Sequence, residues 1–261
     1  MIGIARAWRI GEAGIMMALL SMSVAWAAAG NAEKNAEAPK PPQQDTIKTE
    51  AGDLKITFIG HASLMFEYQG KFVYVDPVSR EGDYSKMPKA DLVLITHEHP
   101  DHLDPKALGL IRKDQTKVLM TQACADKVPD GTVIKNGQTM TVDGLKIEAV
   151  PAYNIVHKRP DGEPFHPKGV GNGYVINFAK TRVYVAGDTE DIPEMSQLKD
   201  IAVAFLPMNL PYTMTPEMAA HAAKMFQPRI LYPYHYGQTD ANQLVDLLKD
   251  SKIEVRIRKM K

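Results

Sequence analysis

A short run of histidines and acidic residues, Thr96–Asp104, constrains the fold of this chain more than any other feature. It holds three of the chain's eight histidines and directly follows the apolar run Leu92–Ile95, which predicts a buried strand. In an extended segment, residues i and i+2 share a face, so His97 and His99 are expected to project together. Three imidazoles this close together favour a metal site over a solvated polar loop.

The second half of the run predicts a turn into a helix. Pro100 ends the strand, and Asp104 followed by Pro105 is typical of a helix N-cap and first helical position. Asp101 and His102 are therefore expected in the turn between strand and helix. The histidine pair can hold one ion and the turn a second, about 3.5–4 Å away in two-metal hydrolases.

His-x-His-x-Asp-His after a buried strand resembles the signature of the metallo-β-lactamase fold superfamily of metal-dependent hydrolases. Four further segments follow in the order that superfamily requires: Ile59–Ser63, Val75–Pro77, Ala186–Thr189 and Pro233–Gly237. The Gly-His-Ala-Ser opening and Met214–Glu217 are similar to the branch with the ascorbate-6-phosphate lactonase-like and N-acyl-phosphatidylethanolamine phospholipase D-like proteins. The resemblance spans roughly residues 53–257 and implies an α+β fold, a four-layer αβ/βα sandwich with its metal site at one edge.

The resemblance also implies a ligand set for two divalent metal ions. His97 and His99 would hold the first ion, Asp101 and His102 the second. Asp188 would bridge both ions, and His235 would complete the second site. Zinc is the expected metal, with manganese and iron as alternatives. Asp76 is expected to accept a hydrogen bond from a ligand histidine and so to fix its tautomer.

The identity of the third ligand of the first ion is undecided at this point. Superfamily members usually place a histidine where this chain has Asn154. His166 is our prediction for the replacement, since relatives show similar local sequence around it; His157 and Asn154 itself are the alternatives. All three lie in a predicted loop, Pro151–Gly173, which is long enough to suggest a functional role.

Three further residues complete the predicted site, and Asp101 is given a second role. Asp101 is predicted to be catalytic as well as a ligand, orienting water and passing a proton to the leaving group. His61 is predicted to line the site as a catalytic, ligating or substrate-contacting residue, with a purely structural histidine as the alternative. Lys168 and Tyr212 are predicted to contact substrate.

Composition supports a single globular domain. The chain has 261 residues, zero formal net charge and 44% hydrophobic residues, which suits one large core, predicted over residues 51–261. Neutrality argues against nucleic-acid binding. The predicted partner is a small-molecule substrate, an anionic one included, and the oligomeric state is left open. The ligand set implied by the resemblance, together with the N-terminal pattern described next, predicts an exported binuclear hydrolase of an ester, lactone or phosphodiester. A metal-binding protein without turnover and a redox member of the fold, acting on oxygen or persulfide, are the alternatives.

The N-terminus predicts export. Basic Arg6 and Arg9 precede the apolar run Ile15–Ala27, and small residues follow, so residues 1–29 are predicted to be a signal peptide for the bacterial periplasm. At 13 residues the run is short for a membrane span, which needs about 20; an uncleaved anchor is the alternative, and no other membrane contact is expected. Residues 30–50, rich in Ala, Glu, Lys, Pro and Gln, are predicted to be a flexible linker.

Overall fold

The computed structural model describes residues 42–261, which form two seven-stranded sheets and three α-helices. The first sheet contains, in spatial and chain order, β1 (Gln43–Thr49), β2 (Gly52–Gly60), β3 (Ser63–Tyr68), β4 (Lys71–Val75), β5 (Leu92–Leu94), β6 (Lys117–Met120) and β7 (Thr132–Val133). The second contains β8 (Thr139–Val142), β9 (Leu145–Ala152), β10 (Gly171–Phe178), β11 (Thr181–Val185), β12 (Ile201–Pro207), β13 (Ile230–Tyr234) and β14 (Glu254–Val255). The helices are α1 (Pro105–Ile111), α2 (Pro216–Phe226) and α3 (Asn242–Leu248).

The inner faces of the two sheets bury a common aromatic core. The Phe58 ring of β2 lies 4.9 Å from the Tyr232 ring of β13, and the Phe66 ring of β3 lies 5.6 Å from the Phe178 ring of β10. The side chains of these four aromatic residues are buried, and large apolar side chains dominate the energetics of such a core.

The helices cover the outer faces of the sheets. Leu108 and Ile111 of α1 belong to a second apolar cluster, with Tyr74 and Val93 of the first sheet. On the other side, Phe226 of α2 packs edge-on against Tyr184 of β11, with ring centroids 5.6 Å apart. Helix, sheet, sheet and helix make the predicted four-layer αβ/βα sandwich, and the α+β prediction is confirmed.

The prediction of a linker over residues 30–50 is wrong for its second half. Residues 43–49 form β1, which pairs antiparallel with β2 along its whole length. Its one large apolar side chain, Ile47, is buried, and Asp45 pairs with Arg258 from the far end of the chain. Both contacts are non-local, so a polar composition did not reveal them. Residues 1–41 lie outside the described part of the chain, and with them the predicted signal peptide and the first part of the linker.

The structure shifts the bounds of several predicted elements by a residue or two. The first predicted helix is confirmed, with the Asp104 carboxylate accepting from the Lys106 N–H at 2.8 Å as its N-cap. α2 begins at Pro216, directly after Thr215, whose hydroxyl accepts from the Met218 N–H as its N-cap. The long predicted loop is shorter, covering 153–170, because β9 and β10 extend into it at either end. In the described part of the chain, none of the helices has the length and apolarity that crossing a membrane requires.

Candidate metal centre

Loops at one edge of the sandwich bring the predicted site residues together. His97, His99, Asp101 and His102 lie between β5 and α1, Asp188 follows β11 and His235 follows β13. Strands β4 to β6 run parallel to one another, as do β11 to β13, so the loops that follow them lie at the same edge of each sheet. The structure thus assembles in space what the resemblance implied from order along the chain.

The first cluster consists of His97, His99 and His166. One ring nitrogen from each lies within 4.8 Å of the other two, a spacing that one ion can bridge. The ring centroids are 4.5 to 5.1 Å apart. β5 ends at Leu94, so His97 and His99 lie on the loop after the strand rather than on the strand, yet they still face the same point.

The second cluster consists of His61, Asp101, His102 and His235, again within 4.8 Å of one another. The His61 and His235 nitrogens Nε2 lie 3.2 and 3.5 Å from the same carboxylate atom, Asp101 Oδ2. Asp101 is the most exposed member, with 31% of its side chain accessible, so its carboxylate faces the solvent side of the cluster.

Asp188 lies between the two clusters. Its Oδ2 is 3.3 Å from His166 Nε2 and 3.5 Å from His235 Nε2, and its Oδ1 is 3.3 Å from His102 Nε2. One buried carboxylate therefore faces histidines of both groups, which is the position expected for a bridging ligand.

The donor set fits divalent ions. Buried nitrogens of three histidines and one oxygen of Asp188 lack a hydrogen-bond partner within the described chain: His97 Nε2, His102 Nε2, His235 Nε2 and Asp188 Oδ1. Buried polar atoms without partners are unfavourable by about 1–3 kcal/mol each. All four belong to candidate ligands, as does the unpartnered Nδ1 of His235, and imidazole with carboxylate is a ligand set suited to zinc.

Asp76 accepts a hydrogen bond from His102. Its Oδ2 accepts from His102 Nδ1 at 2.7 Å and from the Thr96 hydroxyl at 2.6 Å, and its Oδ1 accepts from the Thr96 main-chain N–H at 2.8 Å. With Nδ1 protonated, His102 directs the Nε2 lone pair toward the cluster. Sequence reasoning missed Thr96, although it directly precedes the motif.

His166, rather than Asn154 or His157, completes the first cluster. His166 Nδ1 donates to Asn154 Oδ1 at 2.6 Å, so the asparagine fixes the histidine tautomer and leaves Nε2 for the cluster. The amide of Asn154 donates in turn to Glu190 at 3.1 Å. His157 Nδ1 lies 2.8 Å from the same Glu190, outside the three groups of candidate ligands found among the described residues.

Glu190 is the main residue that sequence reasoning missed. It is fully buried and accepts from the main-chain N–H groups of Ile155, Val156 and His157 at 2.6 to 2.7 Å. It lies two residues after Asp188, and that second carboxylate in the same turn was the available signal.

The side chains of the two predicted substrate residues contact residues other than the candidate ligands. Lys168 Nζ pairs with Glu194 at 2.8 Å and stacks on Tyr153, 4.7 Å from the ring centroid. Tyr212 packs edge-on against Phe165 at 5.1 Å, and its carbonyl accepts from Asn154. Their contact with substrate stays a prediction.

The backbone of the site is strained at specific points. His61, Asp76 and His235 adopt left-handed φ values of 51°, 44° and 45°, which L-residues with a side chain disfavour. Strain of this kind concentrates at functional sites. Gly187 has φ 68°, and a Cβ there would lie 2.7 Å from the Asn172 carbonyl oxygen, so only glycine allows the turn that presents Asp188.

Burial and mutual charge set the protonation of the site. Burial, followed by repulsion from His102, lowers the pKa of His97 well below its ordinary value, which leaves a neutral, ligating ring. Burial raises the pKa of Asp188, but attraction to His235 and His102 outweighs it, and that pKa lies well below its ordinary range. Neutral imidazole and ionised carboxylate are the forms that bind a cation.

Comparisons with known proteins agree with this geometry. A family model described as a beta-lactamase superfamily domain matches residues 55–235. A UPF0173 metal-dependent hydrolase of Methanopyrus kandleri is 34% identical over 195 residues, covering 70% of this chain and 84% of the relative. A crystal structure from Parabacteroides distasonis, named provisionally a metal-dependent hydrolase, shares 54% identity with TM-score 0.81, covering 84% of this chain and 100% of that one. Igni18, a metallo hydrolase of Ignicoccus hospitalis, shares 27% identity with TM-score 0.66, covering 79% and 95%.

Proposed function

Since this chain belongs to the β-lactamase superfamily and is a metal-dependent hydrolase, we propose that it holds two divalent ions and cleaves an ester, lactone or phosphodiester bond. The observation that carries the proposal is the position of Asp188, whose two oxygens lie 3.3 Å from histidines of different clusters, His166 and His102. A single-ion site would have no need of a buried carboxylate shared in this way. Zinc is the proposed metal, because six imidazoles and two carboxylates surround the two positions.

Two bound divalent ions supply Lewis acidity, and lower the pKa of water toward about 7. The protein's own residues orient the ligand histidines and exclude water from the site. Asp76 and Asn154 hold His102 and His166 in one tautomer each, through bonds of 2.7 and 2.6 Å. The buried histidines keep bulk water from the inner side of the site. Asp101, the exposed carboxylate, accepts a proton from the attacking water at Oδ1, because Oδ2 faces His61 and His235, and donates it to the leaving group.

A substrate panel tests the reaction class. Protein stripped with chelator and reloaded with zinc should hydrolyse a phosphodiester, a lactone or a simple ester, and should bind two ions per chain. Asp188→Ala should lose metal from both positions and all turnover while keeping the fold by circular dichroism. His221→Ala is the matched control, since His221 lies on α2 and pairs with Asp191 away from the clusters.

Two outcomes would contradict the proposal. Loading with zinc that gives two ions but no turnover on any class would favour the metal-binding alternative. Iron in freshly purified protein, with oxygen or persulfide consumption, would favour the redox alternative. Elemental analysis distinguishes bound iron from bound zinc, and so identifies the redox alternative before any assay is run.

Export to the periplasm rests on residues 1–29 and stays a proposal. Mass spectrometry of protein from a bacterial host should find an N-terminus near Ala28 or Gly30. Soluble protein that retains Met1 would contradict it. Bound nucleic acid is not expected, and the proposed substrate is a small molecule.

A further inference from the structure

We propose that His61 is a direct ligand of the second metal ion rather than a wall or support residue. The proposal rests on the binuclear site proposed above and adds a residue to one of its two positions. It would give that position five protein ligands, His61, Asp101, His102, Asp188 and His235, against four at the other.

The main evidence is the way the two ring nitrogens of His61 are engaged. Nδ1 lies 3.1 Å from the main-chain oxygen of Lys261, and Nε2 lies 3.2 Å from Asp101 Oδ2. A main-chain oxygen can only accept, so Nδ1 carries a hydrogen. In the neutral ring, Nε2 then presents a lone pair to an anionic oxygen at 3.2 Å. That contact repels unless a cation lies between the two atoms.

The same arrangement recurs at two of the predicted ligands. His102 donates from Nδ1 to Asp76 and has Nε2 at 3.3 Å from Asp188; His166 donates from Nδ1 to Asn154 and has Nε2 at 3.3 Å from Asp188. Metal-ligating histidines almost always donate the other ring N–H to a carboxylate, carbonyl or water. His61 therefore has the hydrogen-bonding pattern of a ligand.

The backbone holds His61 beside His235. The His61 carbonyl accepts from the His235 N–H at 3.0 Å, and the two ring centroids are 3.8 Å apart. Both residues take the left-handed conformation noted above. Both Nε2 atoms point at Asp101 Oδ2, and together with His102 they surround one point. Backbone strain at two residues that are neighbours in space is expected where a functional site requires their side chains to converge.

Two substitutions distinguish a ligand from a support residue. His61→Ala removes both the candidate ligand and any support for Asp101. His61→Gln keeps a side-chain amide that can donate to Asp101 from about the position of Nε2, but an amide is a poor zinc ligand. Cobalt binding to chelator-stripped protein, followed by competition with a chromophoric chelator, gives the number and affinity of the sites. His221→Ala is the matched control.

We expect both His61 variants to lose at least 10–100-fold in affinity at one of two sites, since that is the loss seen when even an outer partner of a ligand is removed. The other site and the control should match the wild type. A crystal structure with cobalt should place the ion about 2.0–2.1 Å from His61 Nε2, the length of a zinc–nitrogen bond.

Wild-type cobalt affinity in His61→Gln, with weakened binding only in His61→Ala, would overturn the inference and leave His61 as a support for Asp101. A cobalt ion more than 3 Å from Nε2 would do the same, and would identify His61 as a charged partner of that carboxylate. If the wild type binds a single ion, the binuclear proposal fails by itself; His61 then stands as a ligand only if both variants still weaken that ion.

Discussion

Glu190 should control the first metal position without contacting the ion. The perturbation is Glu190→Gln, which preserves size but replaces one carboxylate oxygen by an NH2 group. In the native site, one oxygen accepts from the Ile155 and Val156 N–H groups, and the other accepts from the His157 N–H and the Asn154 amide. Whichever way the glutamine is turned, two donors face its NH2 group.

The size of the effect follows from those contacts. A hydrogen bond to a charged group contributes about 1.5–3 kcal/mol, so losing two would cost about 3–6 kcal/mol. Ile155 and Val156 are 48% and 67% exposed, so their N–H groups can turn to water and recover part of that loss. We expect destabilisation of about 3 kcal/mol, which lowers the melting temperature by roughly 6–12 °C in a domain of this size.

The metal affinity should fall at one position only. Glu190 holds Asn154, which holds His166, so the first ion should bind about 10–100-fold more weakly, as for other outer partners of ligands. Thermal unfolding and metal titration measure the two effects. Glu194→Gln is the matched control, because its pair with the exposed Lys168 should contribute about 1 kcal/mol or less. Equal losses in both variants, or wild-type metal affinity in Glu190→Gln, would refute the reasoning.

Two further predictions concern the ambiguous loop and the acid stability. His166→Ala should weaken the first ion at least 10–100-fold and His157→Ala much less, as measured by metal titration; equal effects would remove His166 from the ligand set. Burial raises the pKa of Asp91, but bonds from Lys113 and the Phe72 N–H outweigh it and lower that pKa. The contribution of Asp91 to the free energy of unfolding is therefore present above its unfolded-state pKa, near 3.9, and is lost as pH falls through its lower, folded-state pKa. Asp91→Asn should cost about 1 kcal/mol in urea unfolding at pH 7 and nothing in strong acid; an equal cost at both would contradict the ion-pair account.

The metal motif shows which structural features local sequence can predict. Asp104 and Pro105 predicted the helix start to the residue, because capping is a contact between near neighbours. The strand before the motif was predicted one residue too long, since its end depends on pairing with β4 and β6. His97 and His99 still face one point, with their ring centroids 4.5 Å apart on the loop after β5.

The loop from 153 to 170 shows where sequence reasoning ended. Three candidates, Asn154, His157 and His166, could not be ranked from spacing alone. The choice depends on Glu190, which lies more than thirty residues along the chain and engages the first two candidates. The branch of the superfamily and the substrate contacts of Lys168 and Tyr212 stay predictions.

Taken alone, the sequence determined the fold class and, through the resemblance, predicted a metal site and six of its candidate ligands, because those follow from short motifs whose residues act through neighbours or through a known order. Tertiary structure alone decided three things: that residues 43–49 form an edge strand, that Asn154 supports His166 instead of replacing it, and that His61 faces Asp101. β1 is held partly by Asp45 pairing with Arg258, 213 residues away, His166 is held by Asn154, 12 residues away, and His61 faces Asp101, 40 residues away. No local pattern indicates which distant partner a polar side chain will meet.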